Sequence, residues 1–325
     1  MTAAATTASD PRAAEIAQAM EQRVAHVVLG KANEVRLAMA VMLAGEHLLL
    51  DDAPGVGKTT LGTALARVIG GTMSRVQGTP DLMPTDLTGS AIYDPRTGEW
   101  GYRPGPLHAH VVLVDELNRI TPRTQSALLE AMAEGQITVD GTSRRTPDPF
   151  MVVATMNPAG DAGTFALTSS QVDRFAMSIS LGGPDRPTER DLLRGNGGRD
   201  AVPQIDPVIP IHLMPRLQGV VAGVHVSDVI IDYVLDLADR VRSGSHLSIR
   251  GPQAVLATSR ALALLEGRDH VVPDDVQSVS IPCLAHRLVA TGLPPAVVTD
   301  RINTALDDIA VPVGTGRGGD RRGGT

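Results

Sequence analysis

Aromatic side chains are scarce, 2% of a 325-residue chain with one Trp, three Tyr and three Phe, and no basic strip interleaved with them is evident. Single-stranded nucleic acid is held by such strips, where bases stack and cations track the backbone. The net charge of −7 points the same way, because neutralising phosphates takes clustered lysine and arginine. A lone cysteine, Cys283, excludes an intramolecular disulfide and a cysteine-cluster metal site, leaving helix packing as its expected role. Of the histidines only His108 and His110 are closely spaced, and a His-x-His before an apolar run is ordinarily structural, so no metal is assigned to it. No apolar run reaches the length a bilayer requires. The opening MTAAATTASD lacks the basic-then-apolar order of a secretion signal. The expectation is a cytoplasmic protein without membrane insertion.

The composition is otherwise that of a globular protein, 42% hydrophobic and 20% charged, in a chain longer than one typical core. A large domain with a smaller one is therefore expected. Residues 51–60, DDAPGVGKTT, come after an apolar run and precede a helix-forming stretch. Without side chains at Gly55 and Gly57, successive backbone N–H groups can turn inward around phosphate oxygens. Lys58 then reaches the β- and γ-phosphates and Thr59 holds magnesium, while Pro54, Val56 and Thr60 complete the loop. The helix after it aims its positive end at the same anion. Asp52 stands where the strict pattern has another glycine, so a glycine-rich turn that merely precedes a lysine remains the competing reading.

In VVLVDELNR, residues 111–119, four apolar residues form a strand buried on both faces, and such strands end where ligands bind. Asp115 and Glu116 emerge at that end. Asp115 suits magnesium, and Glu116 suits polarising a water for attack on a γ-phosphate. The alternative is an ordinary solvated loop.

Along the chain, strands at 47–50, 73–77, 111–114, 150–154 and 176–181 alternate with helices, which implies right-handed crossovers and a mostly parallel sheet. Two β-hairpins interrupt the alternation, at 91–102 and from Gln136 through DGTSRR. Beyond Asp185 proline and glycine thicken and helical periods take over. The expected division is a disordered stretch at 1–10, an α/β core at 11–190, a linker at 191–210, an all-helical domain at 211–313 and a disordered tail at 314–325.

These pieces together resemble the AAA+ ATPases, and within them the MoxR family. The likeness is carried by DDAPGVGKTT, RVQGTPDLMPTDLTGS at 75–90, the segment 111–141, VVATMNP at 152–158, QVDRFAM at 171–177 and 250–288. The resemblance implies a P-loop NTPase fold, a three-layer αβα core with a small helical lid, and ATP and Mg²⁺ as cofactors. It implies that Asn157 orients the attacking water, where the competing reading is a turn cap. Arg174 would complete a neighbouring subunit's site, where the alternative is an ion pair with Asp173. Arg250 would be a lid sensor of the γ-phosphate, and Val28 and Gly30 would line the adenine pocket. It further implies a homo-oligomeric, hexameric ring, a von Willebrand factor A domain adaptor and a client protein complex. Gly78, where relatives more often carry an aromatic residue, and Met156, where they often carry glutamine, depart from the pattern. A nucleic-acid motor and a nucleotide-gated scaffold without turnover are the competing functions.

Overall fold

The computed structural model describes residues 11–52, 55–156, 164–242 and 246–312. Pro54, Asn157 and the terminal stretches 1–10 and 314–325, for which the sequence predicts disorder, lie outside the described residues. The chain runs α1 (Pro11–Val27), α2 (Ala32–Leu43), β1 (Leu48–Asp51), α3 (Lys58–Val68), β2 (Met73–Gln77) and α4 (Pro84–Thr88). A hairpin comes next, β3 (Gly89–Asp94) and β4 (Glu99–Pro104), then β5 (Val111–Asp115) and α5 (Pro122–Glu134). A second hairpin, β6 (Gln136–Val139) and β7 (Thr142–Arg145), leads to β8 (Met151–Met156), α6 (Ser169–Val172), β9 (Met177–Ile179) and α7 (Arg186–Leu193). Helices α8 (Met214–Ala222), α9 (Asp228–Arg242), α10 (Arg250–Leu265), α11 (Pro273–Val289) and α12 (Pro295–Asp308) complete the described chain as an all-helical region, termed the lid below.

The central sheet has the order β2-β5-β8-β1-β9 with every pairing parallel. Its middle strands are continuous apolar runs because both faces are covered. Leu48, Leu50, Leu113 and Val153 pack toward α1, α2 and α3. Leu49, Val112, Val114 and Ala154 pack on the other face with Leu128 and Leu129 of α5. Local signals set the helix ends: Pro122 opens α5, where its missing N–H costs nothing, and Gly135 closes it in the left-handed region. The arms of the hairpins meet where the Arg144 guanidinium lies 3.9 Å over the Tyr102 ring. Tyr102 also bonds His108 Nε2 at 2.7 Å, which fixes the base of the first hairpin.

The lid has no core of its own. Leu217, Val234, Leu237, Val255 and Leu284 belong to the same buried cluster as Val24, Leu43 and Leu61. Polar contacts line this seam, with Gln18 Nε2 donating to Leu265 O at 2.7 Å and Gln218 Nε2 to Met42 O at 2.9 Å. At the start of β9, the buried Arg287 of α11 donates through Nε to Asp173 Oδ1 at 2.9 Å and through Nη1 to Ala176 O at 3.0 Å. His286 Nε2 faces Phe175 O at 3.0 Å.

Burial, reinforced by the Arg287 charge, pushes the His286 pKa down to about 3. The unfolded chain therefore takes up a proton near pH 6.5 that the folded chain refuses, so this stability is complete above pH 6.5 and is lost as the pH falls toward 3. By linkage the loss at pH 5 is about 2 kcal/mol. In urea unfolding at pH 7 and pH 5, the His286→Gln variant should lose less stability on acidification than the wild type; an equal loss in both would contradict a neutral His286.

Candidate functional site

The register of the sheet decides which ends meet. Asp51 pairs with Met156, and Val114 with Ala154, so Asp115 lies level with Thr155 and Glu116 level with Met156 and Asp51. Only β8 separates β1 from β5. At an interstrand spacing of about 4.8 Å, the two carboxylates stand about 10 Å across from the foot of the phosphate loop. Lys58, Asp115 and Glu116 are thus gathered at one end of the sheet.

Gly55 and Gly57 have φ of 91° and 100°, a region that favours glycine, and a Cβ at either would meet open space. Conformation, not crowding, requires glycine here. Gly57 caps α3 without a side-chain hydrogen bond, so the N–H groups of the first turn remain for an anion. The nearly buried Lys58 points back across the loop, its Nζ donating to Asp52 O at 2.8 Å. Gly62 of α3 packs at Leu113, so Thr59, one turn earlier, lies toward the end of β5 that bears Asp115. These groups fit a magnesium triphosphate: backbone donors, one ammonium, a hydroxyl and a carboxylate.

Asp52 has a structural task. Its carboxylate accepts from Ser180 Oγ at 2.6 Å, Leu181 N at 2.6 Å and Gly182 N at 3.0 Å, tying the phosphate loop to the end of β9. The same segment leads to Thr188, against which Gly30 packs so closely that a Cβ would lie 2.5 Å from its Oγ1. Gly30 is thereby held against the segment that follows β9, and Val28 just before it is buried. Asp51 has its pKa raised by desolvation and by the neighbouring Asp52, with Lys58 acting in opposition.

Glu116 sits in the left-handed region at φ 57° and ψ 51°, uncommon for a residue with a side chain. Its N–H donates to the buried Thr155 Oγ1 at 2.9 Å. On the other side Gly78 N donates to Asp115 O at 2.7 Å, and a Cβ on Gly78 would lie 2.2 Å from Glu116 O. No side chain fits there without a shift of the Asp115-Glu116 backbone. Each carboxylate also carries an arginine. Arg75 Nε donates to Asp115 Oδ2 at 2.7 Å, and Arg119 Nη1 to Glu116 Oε2 at 2.8 Å. Arg75, Arg119 and Thr155 have no local sequence signal; their partners come from neighbouring strands or from one tight turn.

Arg174 and Arg250 are not brought to this end. Arg174 precedes Ala176, whose N–H bonds His47 O below the start of β1, and its Nη1 donates to Leu129 O at 3.1 Å. Asp173 pairs with Arg287, and Arg250 Nη1 lies 3.8 Å from Asp173 Oδ2. Arg250 also influences Glu46, two residues before β1. The length of β1, about 13 Å at 3.3 Å per residue, separates both arginines from their own phosphate loop. A cavity of about 750 Å³ opens beside Asp51 under α11 and α12, but among the described residues its lining includes Glu34 and Asp51 and neither lysine nor arginine. It does not suit a triphosphate.

The sequence matches the ATPase family associated with various cellular activities (AAA) over residues 47–177 and the AAA lid domain over 240–306. It is 35% identical over 308 residues to the chaperone MoxR1 of Mycobacterium tuberculosis, covering 89% of this chain and 80% of that one. The chain belongs to the MoxR family of AAA+ ATPases. The protein YeaC of Bacillus subtilis is 41% identical, over 82% of this chain and 85% of its own length. The crystal structure of a proposed ATPase from Cytophaga hutchinsonii superposes with a TM-score of 0.83 at 28% identity, covering 93% and 96% of the two chains. The five-stranded parallel sheet with flanking helices and a helical lid is thus the family's fold.

The close approach at Gly78 can be tested directly. Gly78→Ala should force the Asp115-Glu116 turn to shift and lower stability by about 1–3 kcal/mol, the range for overpacking. Denaturant unfolding of Gly78→Ala beside Gly101→Ala, where a Cβ would meet only Ile92 O at 3.9 Å, checks this; equal losses would refute it.

Proposed function

We propose that this protein is a Mg²⁺-dependent ATPase that assembles into a ring, hexameric by family resemblance, and couples hydrolysis to chaperone-like remodelling or maturation of a partner complex. The observation that carries the reading is the gathering of Lys58, Asp115 and Glu116 at one end of the sheet, with Arg174 and Arg250 at the other. A chain built this way offers its cations to a different copy's phosphates.

In the proposed reaction the turn at Gly55–Gly57 and the start of α3 bind the phosphates through backbone N–H groups, and Lys58 leaves Asp52 O for a phosphate oxygen. Thr59 and Asp115 would hold Mg²⁺, whose chemistry is to offset the charge on the β- and γ-phosphate oxygens. Glu116, whose backbone N–H is held by Thr155, accepts a proton from the water as its oxygen bonds the γ-phosphorus and the bond from that phosphorus to the β-phosphate oxygen breaks, with ADP as leaving group; Asn157 orients that water. Arg174 of an adjacent copy adds positive charge where the transferring group becomes more negative. Arg250, on the same edge, is assigned to that neighbour's site as well. The adaptor expected by analogy is a von Willebrand factor A domain protein. We place the protein in the cytoplasm; among the described residues no helix is long and apolar enough to cross a membrane.

Lys58→Ala should abolish tight ATP binding, whereas Glu116→Gln should keep ATP bound and lower turnover by about 10²-fold or more, the scale of a lost general base. Equilibrium binding of labelled ATP with phosphate release separates the two; equal loss of binding would reject the division of roles. Arg174→Ala should retain ATP affinity and lose hydrolysis. Mixed with Glu116→Gln subunits in rings verified by mass, it should regain activity, and no recovery would count against a shared site.

A further inference from the structure

The ion pair between Arg75 and Asp115 is not part of that reaction, yet it occupies the carboxylate oxygen a metal would approach. Arg75 projects from β2, the edge strand, and donates through Nε to Asp115 Oδ2 at 2.7 Å. The Asp115 side chain is only 9% exposed, whereas that of Arg75 is 54% exposed. A carboxylate so buried needs a positive partner, and a half-exposed arginine can leave toward water at small cost. A guanidinium and a divalent cation cannot share one carboxylate oxygen without strong repulsion. Among the described residues no group of three or more His, Cys, Asp or Glu side chains could hold a metal ion. Thr59 and Asp115 alone make an incomplete set of ligands, so phosphate oxygens must supply others.

We infer that Arg75 is a stand-in for the metal: it neutralises Asp115 until a metal-nucleotide complex arrives, and so keeps the protein from taking up free divalent ions. Arrival of the complex transfers Asp115 from the guanidinium to the metal and releases Arg75 at the edge of the sheet. The inference rests on the ATPase reading for its setting, but its test does not need turnover.

The probe is Mn²⁺ alone, without nucleotide, followed by electron paramagnetic resonance of the free ion. Arg75→Gln should bind Mn²⁺ about tenfold to hundredfold more tightly than the wild type, the range for removing a competing charge-assisted hydrogen bond, and Arg75→Gln/Asp115→Asn should lose the gain. Arg75→Met, which keeps the apolar stem, replaces Arg75→Gln if that variant does not fold. Equal affinity in Arg75→Gln and wild type overturns the stand-in role, as does a gain that survives Asp115→Asn. Binding of Mn²⁺ with ATP by the wild type is measured in parallel: its absence would defeat the nucleotide reading, while the Mn²⁺-only comparison would still judge Arg75.

Discussion

Parallel pairing of β5, β8 and β1 is the constraint on which the site depends. These strands are buried on both faces, so their register is fixed by side chains that have nowhere else to go. A slip of one residue would turn Val112 and Val114 from the α5 face to the α3 face and carry Glu116 away from Thr155. The apolar core thereby sets the position of charged groups that it does not itself contain. The left-handed backbone at Glu116 is tolerated because Thr155 and Gly78 hold it from the strands on either side.

How much of this is legible in the sequence depends on the range of each interaction. Gly55, Gly57, Lys58 and Thr59 form their feature within a few residues, and Asp115 and Glu116 directly succeed an apolar run, so local pattern reveals them. The hairpins and most helix ends are legible for the same reason, through Gly, Pro and alternation. Asp52 reads as a defect in a glycine pattern, because its three donors lie about 130 positions away along the chain. Gly78 reads as a lost aromatic, because the backbone that excludes a side chain belongs to another strand. The location of Arg250 depends on how the lid packs, and no periodicity within α10 specifies that.

The lid illustrates the same point at larger scale. Sequence alone suggests a separate helical domain after a linker rich in glycine and proline, yet its apolar faces continue the core formed by α1, α2 and α3. A helix contributes an apolar stripe but carries no mark of which neighbour will cover it. Here α10 lies against α2 and α1, and α11 closes the open edge of β9, with Asp173 shared among Arg287, Ser248 and Arg250.

A lid built into the core in this way limits how the protein can move. Swinging α10 and α11 away from α2 and β9 would expose side chains now fully buried, at about 25 cal/mol per Å² of apolar surface, and would strand the buried Arg287 without Asp173. The economical motion keeps the lid, α1 and α2 together as one block. Asp52 joins the phosphate loop to β9, and β9 joins α11, so in the proposed reaction a displacement of the loop on taking up phosphate would have a direct mechanical route to the edge that bears Arg174 and Arg250. In the proposed ring that edge faces the next copy. One chain's nucleotide state would then reach its neighbour's through a rigid lever, with no need for the lid to open.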